Sequence, residues 1–126
     1  MSLRAKSGTE VKTPRAMNIF LDRIENLGLQ IFITELDVDD YAILGSERQR
    51  DKRVAEVYSD YLKNVLSHRA VRVVLTWGID DRHSWLRKSK HKPSRLDKKQ
   101  KRPLLFSGNL KPKAAFHATC AAIRDR

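Results

Sequence analysis

The stretch LQIFITELDVDD, residues 29–40, decides how the rest of the chain is read. Its apolar run, Leu29, Ile31, Phe32 and Ile33, ends abruptly in carboxylates at Glu35, Asp37, Asp39 and Asp40. A short run of this kind predicts a strand buried on both faces, as parallel strands covered by helices are. The acids then fall at the strand's C-terminal end, where the loops leaving a parallel sheet gather ligands and chemistry. Period-two alternation puts Glu35 and Asp37 on one side of the extended backbone, so two carboxylates would point toward one site. A solvated loop start accounts for the same acids about equally well.

Upstream, residues 1–12 are polar and lack periodicity, which predicts a poorly ordered lead-in. Thr13 and Pro14 make a helix start, with a hydroxyl cap and a proline where its missing N–H costs nothing. Met17, Phe20, Leu21, Ile24 and Leu27 follow at helical spacing until Gly28 stops the helix. Downstream, residues 39–45 read as a loop, and Ser46 with Gln49 has the spacing of a capping box. Val54, Val57, Tyr58, Tyr61, Leu62, Val65 and Leu66 then line one face of a second helix. VRVVLTW, residues 71–77, is a second apolar, β-branched strand, followed by the polar residues Gly78, Asp80, Asp81, Arg82, His83 and Ser84 and then Trp85. A third helix runs from Lys113 to about Arg124 with a narrow, Ala-rich face. Helix, strand, helix, strand, helix is an α/β order and predicts parallel strands with helical crossovers.

With 126 residues and 40% hydrophobic content, the chain has material for one modest core. Its net charge is +11, and residues 87–102 hold nine Lys or Arg against Asp97 alone, so this segment supplies +8. It contains Pro93 and no apolar period, which predicts an exposed basic loop. Cys120 is the single cysteine, so no internal disulfide forms, and an Ala-rich helix suggests a small packed residue. His68, His83, His91 and His117 share no metal-ligand spacing, and Asp37, Asp39 and Asp40 lack the glycine of a calcium loop because Ala42 stands there. No metal or cofactor is expected. No apolar run has the length of a membrane span, and the first residues do not read as a signal peptide.

Together these motifs resemble the C-terminal part of glycoside hydrolase family ten, the endo-β-1,4-xylanases built on a (β/α)8 TIM barrel. The pieces that carry the resemblance are ITELDV (33–38), LTWGIDDRHSWL (75–86), PLLF (103–106) and NLKPKAAFHA (109–118), in that order. The resemblance covers roughly residues 13–123 and implies a partial barrel: about two strands, the seventh and eighth, with three helices. It implies Glu35 as catalytic nucleophile, Asp37 as its supporting carboxylate, and Trp77, Asp81 and Trp85 as substrate-binding residues of a cleft for xylan or xylo-oligosaccharide. Three positions depart from the family pattern. Ser107 stands for the usual Asp, Ala114 for a common Pro, and His83 for an aromatic residue.

A retaining glycosidase needs two carboxyl groups about 5–5.5 Å apart, one attacking the anomeric carbon and one protonating the leaving oxygen. In the family the acid/base glutamate ends the fourth strand, in a segment with no counterpart here, and a whole barrel takes about 250 residues. The expectation is a truncated or split xylanase, inactive alone, with open sheet edges and an uncovered inner face, that either pairs with a complementing N-terminal barrel fragment or folds as a marginal α/β fragment. An inactive remnant is a second reading. A third, from another class, is a basic module for nucleic acid or acidic polysaccharide; it lacks a recognition helix and interleaved aromatics and is the weaker. The resemblance implies secretion, but the residues leave the compartment undetermined.

Overall fold

A computed structural model describes residues 2–6, 15–88 and 94–126. Strand β1 (Ser2–Lys6) is followed by helix α1 (Arg15–Asn26), strand β2 (Ile31–Ala42), helix α2 (Glu47–Leu66), strand β3 (Val71–Thr76), a single turn α3 (Trp85–Lys88) and helix α4 (Ala114–Arg124). The three strands form one parallel sheet in the order β1-β2-β3.

The central strand differs from expectation in two ways. It does not stop at the acids but continues to Ala42, and it has a partner on each side. Its first half pairs with β3, from Ile31↔Val71 to Leu36↔Thr76. Its second half pairs with β1, from Ser2↔Asp37 to Lys6↔Ala42. The lead-in predicted over residues 1–12 is therefore a strand at Ser2–Lys6, and the sheet has three strands where two were expected. Parallel pairing is made by backbone groups, so five residues with no helical or long alternating pattern can still join a sheet. The expected Thr13–Pro14 helix start lies outside the described residues.

Helix α2 is the hinge of the core. Ser46 caps it as its spacing predicts: the Gln49 N–H donates to Ser46 Oγ at 3.3 Å and the Ser46 N–H donates to Gln49 Oε1 at 2.8 Å. Its stripe from Val54 to Leu66 is buried, and it packs on Leu36 and Val38 of β2 and on Ala115 and Ala122 of α4. Small residues on α4 let the two helices approach closely. Cys120 lies on the exposed side of α4 and is not the packed residue expected of it.

Helix α1 is less covered than its stripe predicts. Leu21 is buried, but Phe20 and Leu27 are exposed. Polar contacts hold it to α2: Asn64 Nδ2 donates to Asn18 Oδ1 at 2.6 Å, and His68 lies 3.2 Å from Asp22. The sheet shows the same imbalance. Ile31 and Ile33 pack into the core, whereas Phe32 is 58% exposed and Leu75 54%. Those two side chains stand on a face that no described element covers, as expected for barrel strands without the rest of the barrel. No helix among the described residues is long and apolar enough to cross a membrane.

Candidate active site

Glu35 sits where β2 loses its regular register with β3. Between the pairs Ile33↔Val74 and Leu36↔Thr76, β2 advances three residues against two. The extra residue makes a bulge, and Glu35 takes φ 60, the left-handed region that a side chain disfavours. Glu35 is exposed, while the next five residues, Leu36 to Asp40, are all buried. The bulge interrupts the alternation expected to aim Glu35 and Asp37 together; Asp37 is instead wholly buried.

Two tryptophans are tied to the residues around this bulge. The Trp77 N–H donates to the Leu36 carbonyl at 2.9 Å, which sets its main chain beside the bulge, and its ring is 47% exposed. Trp85 is half-buried, and its Nε1 donates to Asp37 Oδ2 at 2.6 Å. Glu35, Asp37, Trp77 and Trp85 thus belong to one end of the sheet, the C-terminal end of the parallel strands. Between the two indoles, Gly78 turns at φ 111, with Leu104 Cδ1 only 3.1 Å from where a Cβ would stand. Next to it, Asp80 accepts from the Arg82 and His83 N–H groups and lies 2.8 Å from His83 Nδ1. Those hydrogen bonds, His83's side chain foremost, hold the Asp80 carboxyl below its ordinary range. His83 therefore braces the loop from outside, where the family pattern has an aromatic residue.

Asp81 is placed differently from its expectation. Expected in the substrate cleft, it is 2% exposed and bonded on both oxygens. Lys113 Nζ lies 2.9 Å from its Oδ2, and the Leu104 N–H donates to its Oδ1 at 3.0 Å. Burial pushes this carboxyl up, and the Lys113 charge opposes that shift. The same ammonium donates to the Arg102 and Leu104 carbonyls at 2.9 and 3.0 Å. Asp81 therefore fastens the segment after β3 to the start of α4 and is shielded from solvent.

In the described part of the basic segment Ser94 and residues 96–100 are exposed, as a solvated loop requires, but three of its cations are anchored to the fold. Arg95 and Lys101 are buried, at 3% and 4% exposure. Arg95 donates to the Asp40 and Ile43 carbonyls and forks onto Asp97 at 2.7 and 2.9 Å. Lys101 pairs with Asp39 at 3.0 Å. Arg102 holds Asp51 in a bidentate pair at 2.8 and 2.7 Å. From α2, the buried Arg50 pairs with Asp40 and donates to the Gln100 carbonyl at 2.6 Å. These contacts pair Arg95, Lys101 and Arg102, three of the nine cations on which the nucleic-acid reading rested, with acids of the fold. They also explain why acids continue β2 as buried strand, since a carboxylate without a partner would be expelled to solvent.

Arg50, Arg95, Lys101 and Lys113 are the residues that sequence reasoning missed. Each pairs with an acid 10 to 62 positions away, and Arg95 has a second acid, Asp97, two positions on. The departures from the family pattern prove mild. Ser107 Oγ accepts the Lys111 N–H at 3.1 Å and closes the loop before α4, and Ala114 occupies the first helical position.

Residues 5–122 match the family model of Glycosyl hydrolase family 10. The chain is 36% identical over 98 residues to endo-1,4-beta-xylanase B of Thermotoga neapolitana, covering 78% of this chain and 26% of that protein. It is 29% identical over 101 residues to endo-1,4-beta-xylanase B of Neocallimastix patriciarum, covering 80% of this chain and 10% of that one. Among solved structures, native xylanase 10B from Thermotoga maritima superposes with a TM-score of 0.75 at 28% identity, over 98% of this chain and 35% of that one. Xylanase 10B from Thermotoga petrophila RKU-1, solved with xylobiose, superposes with a TM-score of 0.69 at 30% identity, over 86% of this chain and 31% of that one. The chain thus spans about a quarter or less of these curated relatives and about a third of these solved chains. Its parallel sheet and flanking helices are a partial (β/α)8 barrel, and the chain belongs to glycosyl hydrolase family 10.

Proposed function

We propose that this chain is the nucleophile-bearing part of a retaining endo-β-1,4-xylanase. Glu35 attacks the anomeric carbon, Asp37 supports the site from the buried strand, and Trp77 and Trp85 flank the bound sugar. The observation that carries this reading is the bulge. An exposed carboxylate held at positive φ in a bulge of β2, where the Leu36 carbonyl accepts the Trp77 main-chain N–H and Asp37 accepts from the Trp85 indole, is a strained group, and such strain gathers at functional sites. Indole faces suit pyranose rings because a flat apolar surface covers the sugar's C–H groups.

The second carboxyl group and the remaining strands come from elsewhere. Glu35 as nucleophile needs a general acid about 5–5.5 Å away. Removing one member of a catalytic pair removes most of the function of both, so the chain alone is inactive on xylan. The exposed Phe32 and Leu75 mark the face that a complementing N-terminal barrel segment covers. The test is a reducing-sugar assay on xylan with the purified chain, then with a co-expressed segment carrying barrel strands one to six. Turnover only in the mixture, lost in Glu35→Gln, is the expected result. Robust turnover by the chain alone, or full activity of the mixture with Glu35→Gln, overturns the reading.

A further inference from the structure

A cleft of about 910 Å³ opens between the first turns of α2 and α4, away from the residues assigned above. Five cations line it, Arg48, Lys52, Arg102, Lys111 and Lys113, against two acids, Glu47 and Asp51. Both acids are already engaged. Arg102 forks onto Asp51 and reaches Glu47 at 3.4 Å, and Lys113 lies 3.4 Å from Asp51. Burial pushes the Asp51 carboxyl up, but the Arg102 hydrogen bond and the two cationic charges outweigh it and leave it below its ordinary value. Among the described residues, no acid pairs with Arg48, Lys52 or Lys111.

These cations are badly placed for the fold. Arg48 stands in the first turn of α2, and Lys111 just precedes α4, where the positive end of a helix dipole disfavours cations. Arg48 and Lys52 are four residues apart on α2, a like-charge spacing that is also unfavourable. The α4 cap residue, Lys113, makes no side-chain bond to the orphan amides of the first turn. Local conflicts of this kind are expected where a ligand resolves them. Both helix starts lie at the C-terminal end of the strands, the end that carries Glu35, Trp77 and Trp85.

We propose that this cleft binds the acidic substituent of a saccharide, a carboxylate-bearing sugar held by Arg48, Lys52 and Lys111. A carboxylate is an anion of the kind that cations beside helix starts attract. The polar side chain of Asn109 and the ring of Pro112 offer the hydroxyl and apolar contacts of a sugar. No aromatic residue lines the cleft, so there is no stacking platform for nucleobases. The inference deepens the carbohydrate reading, on which it rests for the ligand's class, but it concerns a separate site.

The test is amide NMR of the whole chain at low salt, with four probes: a xylo-oligosaccharide bearing one uronate, its neutral counterpart, inorganic phosphate and a single-stranded oligonucleotide. The expected result is saturable shifts of the Gly108, Asn109 and Ala114 amides with the acidic oligosaccharide only. The triple variant Arg48→Gln, Lys52→Gln, Lys111→Gln, made at exposed positions, should weaken that binding about tenfold. Unmoved amides, equal affinity in the triple variant, or tighter binding of phosphate or oligonucleotide at the same amides each overturn the proposal. The Trp77 and Trp85 indole signals report separately on the active-site reading, so failure of one is distinguishable from failure of the other.

Discussion

Replacing Lys113 by methionine tests whether the buried Lys113–Asp81 pair fastens the C-terminal segment to the sheet. Met keeps most of the stem's volume and removes the charge, so packing loss is small. What remains is Asp81, 2% exposed, with the Leu104 N–H as its other hydrogen-bond partner, and two carbonyls, Arg102 and Leu104, without their donor. Breaking a buried pair from one side typically costs about 3–5 kcal/mol, because an uncompensated charge stays inside. Asp51 adds little, since it is 3.4 Å away and keeps its Arg102 fork. The expected loss at pH 7 is therefore about 3–5 kcal/mol. It is read from urea unfolding followed by tryptophan fluorescence, with trimethylamine N-oxide added to keep a folded baseline. The double variant Lys113→Met with Asp81→Asn leaves no buried charge and should lose about 2 kcal/mol less than the sum of the two single variants. The pH dependence has a definite sign. Burial already raises the Asp81 carboxyl and Lys113 opposes that, so removing Lys113 raises it further. A carboxyl raised in the folded state favours folding when protonated, and that contribution is lost as pH rises through the folded value. The variant's deficit should shrink as pH falls from 7 toward 5. A loss under about 1 kcal/mol at pH 7, far below the range for a broken buried pair, would refute the reasoning, as would a deficit that is flat with pH.

Ala114→Pro should stabilise the chain by about 0.4–1 kcal/mol in thermal or urea unfolding, because Lys113 before it is already extended at ψ 172 and position 114 opens α4; a net loss counts against this. Glu35→Gly should raise stability by about 1 kcal/mol by relieving the positive φ, while abolishing turnover in the complemented assembly; unchanged or lowered stability means the bulge is not strained. Asp97 is held down to about 2 by its hydrogen bonds from Arg95, so its contribution to stability is present above its ordinary 3.8 and lost as pH falls through about 2; carboxyl NMR should show the midpoint moving up in Arg95→Gln, and an unmoved midpoint contradicts the assignment. Trp85→Phe removes the 2.6 Å donor to Asp37 and should cost about 1.5–3 kcal/mol, with no effect in unfolding assays being the contrary outcome.

Much of the fold was legible because it follows from local pattern. The 46–49 capping spacing, the α2 stripe and the β-branched run at 71–76 each specify their element with no help from distant residues. The strand through 31–36 was legible for the same reason. Its continuation to Ala42 was not, because the acids Asp37, Asp39 and Asp40 are held in the strand by distant partners that include Trp85, Lys101, Arg50 and Arg95, and no window of sequence holds those partners together. Strand β1 escaped notice since its evidence is a backbone register with residues 37–42. At the site, the candidacy of Glu35 and the two tryptophans rests on motif resemblance. The burial of Asp81 against Lys113 was not legible, because a carboxylate in a polar loop looks alike in sequence whether it faces a cleft or a buried lysine.

The geometry at Glu35 follows from a comparison of two costs. A non-glycine residue at φ 60 stores roughly 1–3 kcal/mol, which the strand would shed if it could slide by one residue and erase the bulge. Sliding by one residue turns every side chain to the opposite face. Downstream of the bulge that would part Asp37 from Trp85, Asp39 from Lys101, and Asp40 from Arg50 and Arg95, besides breaking the Val38 amide's bond to the Pro103 carbonyl. Breaking even one such buried pair costs about 3–5 kcal/mol, more than the strain released. The bulge therefore persists, held by groups that all belong to this chain. Glu35 is thus oriented by groups of this chain, and on the proposed reading a further barrel segment would supply an acid and a cover for Phe32 and Leu75 without having to build the position of Glu35.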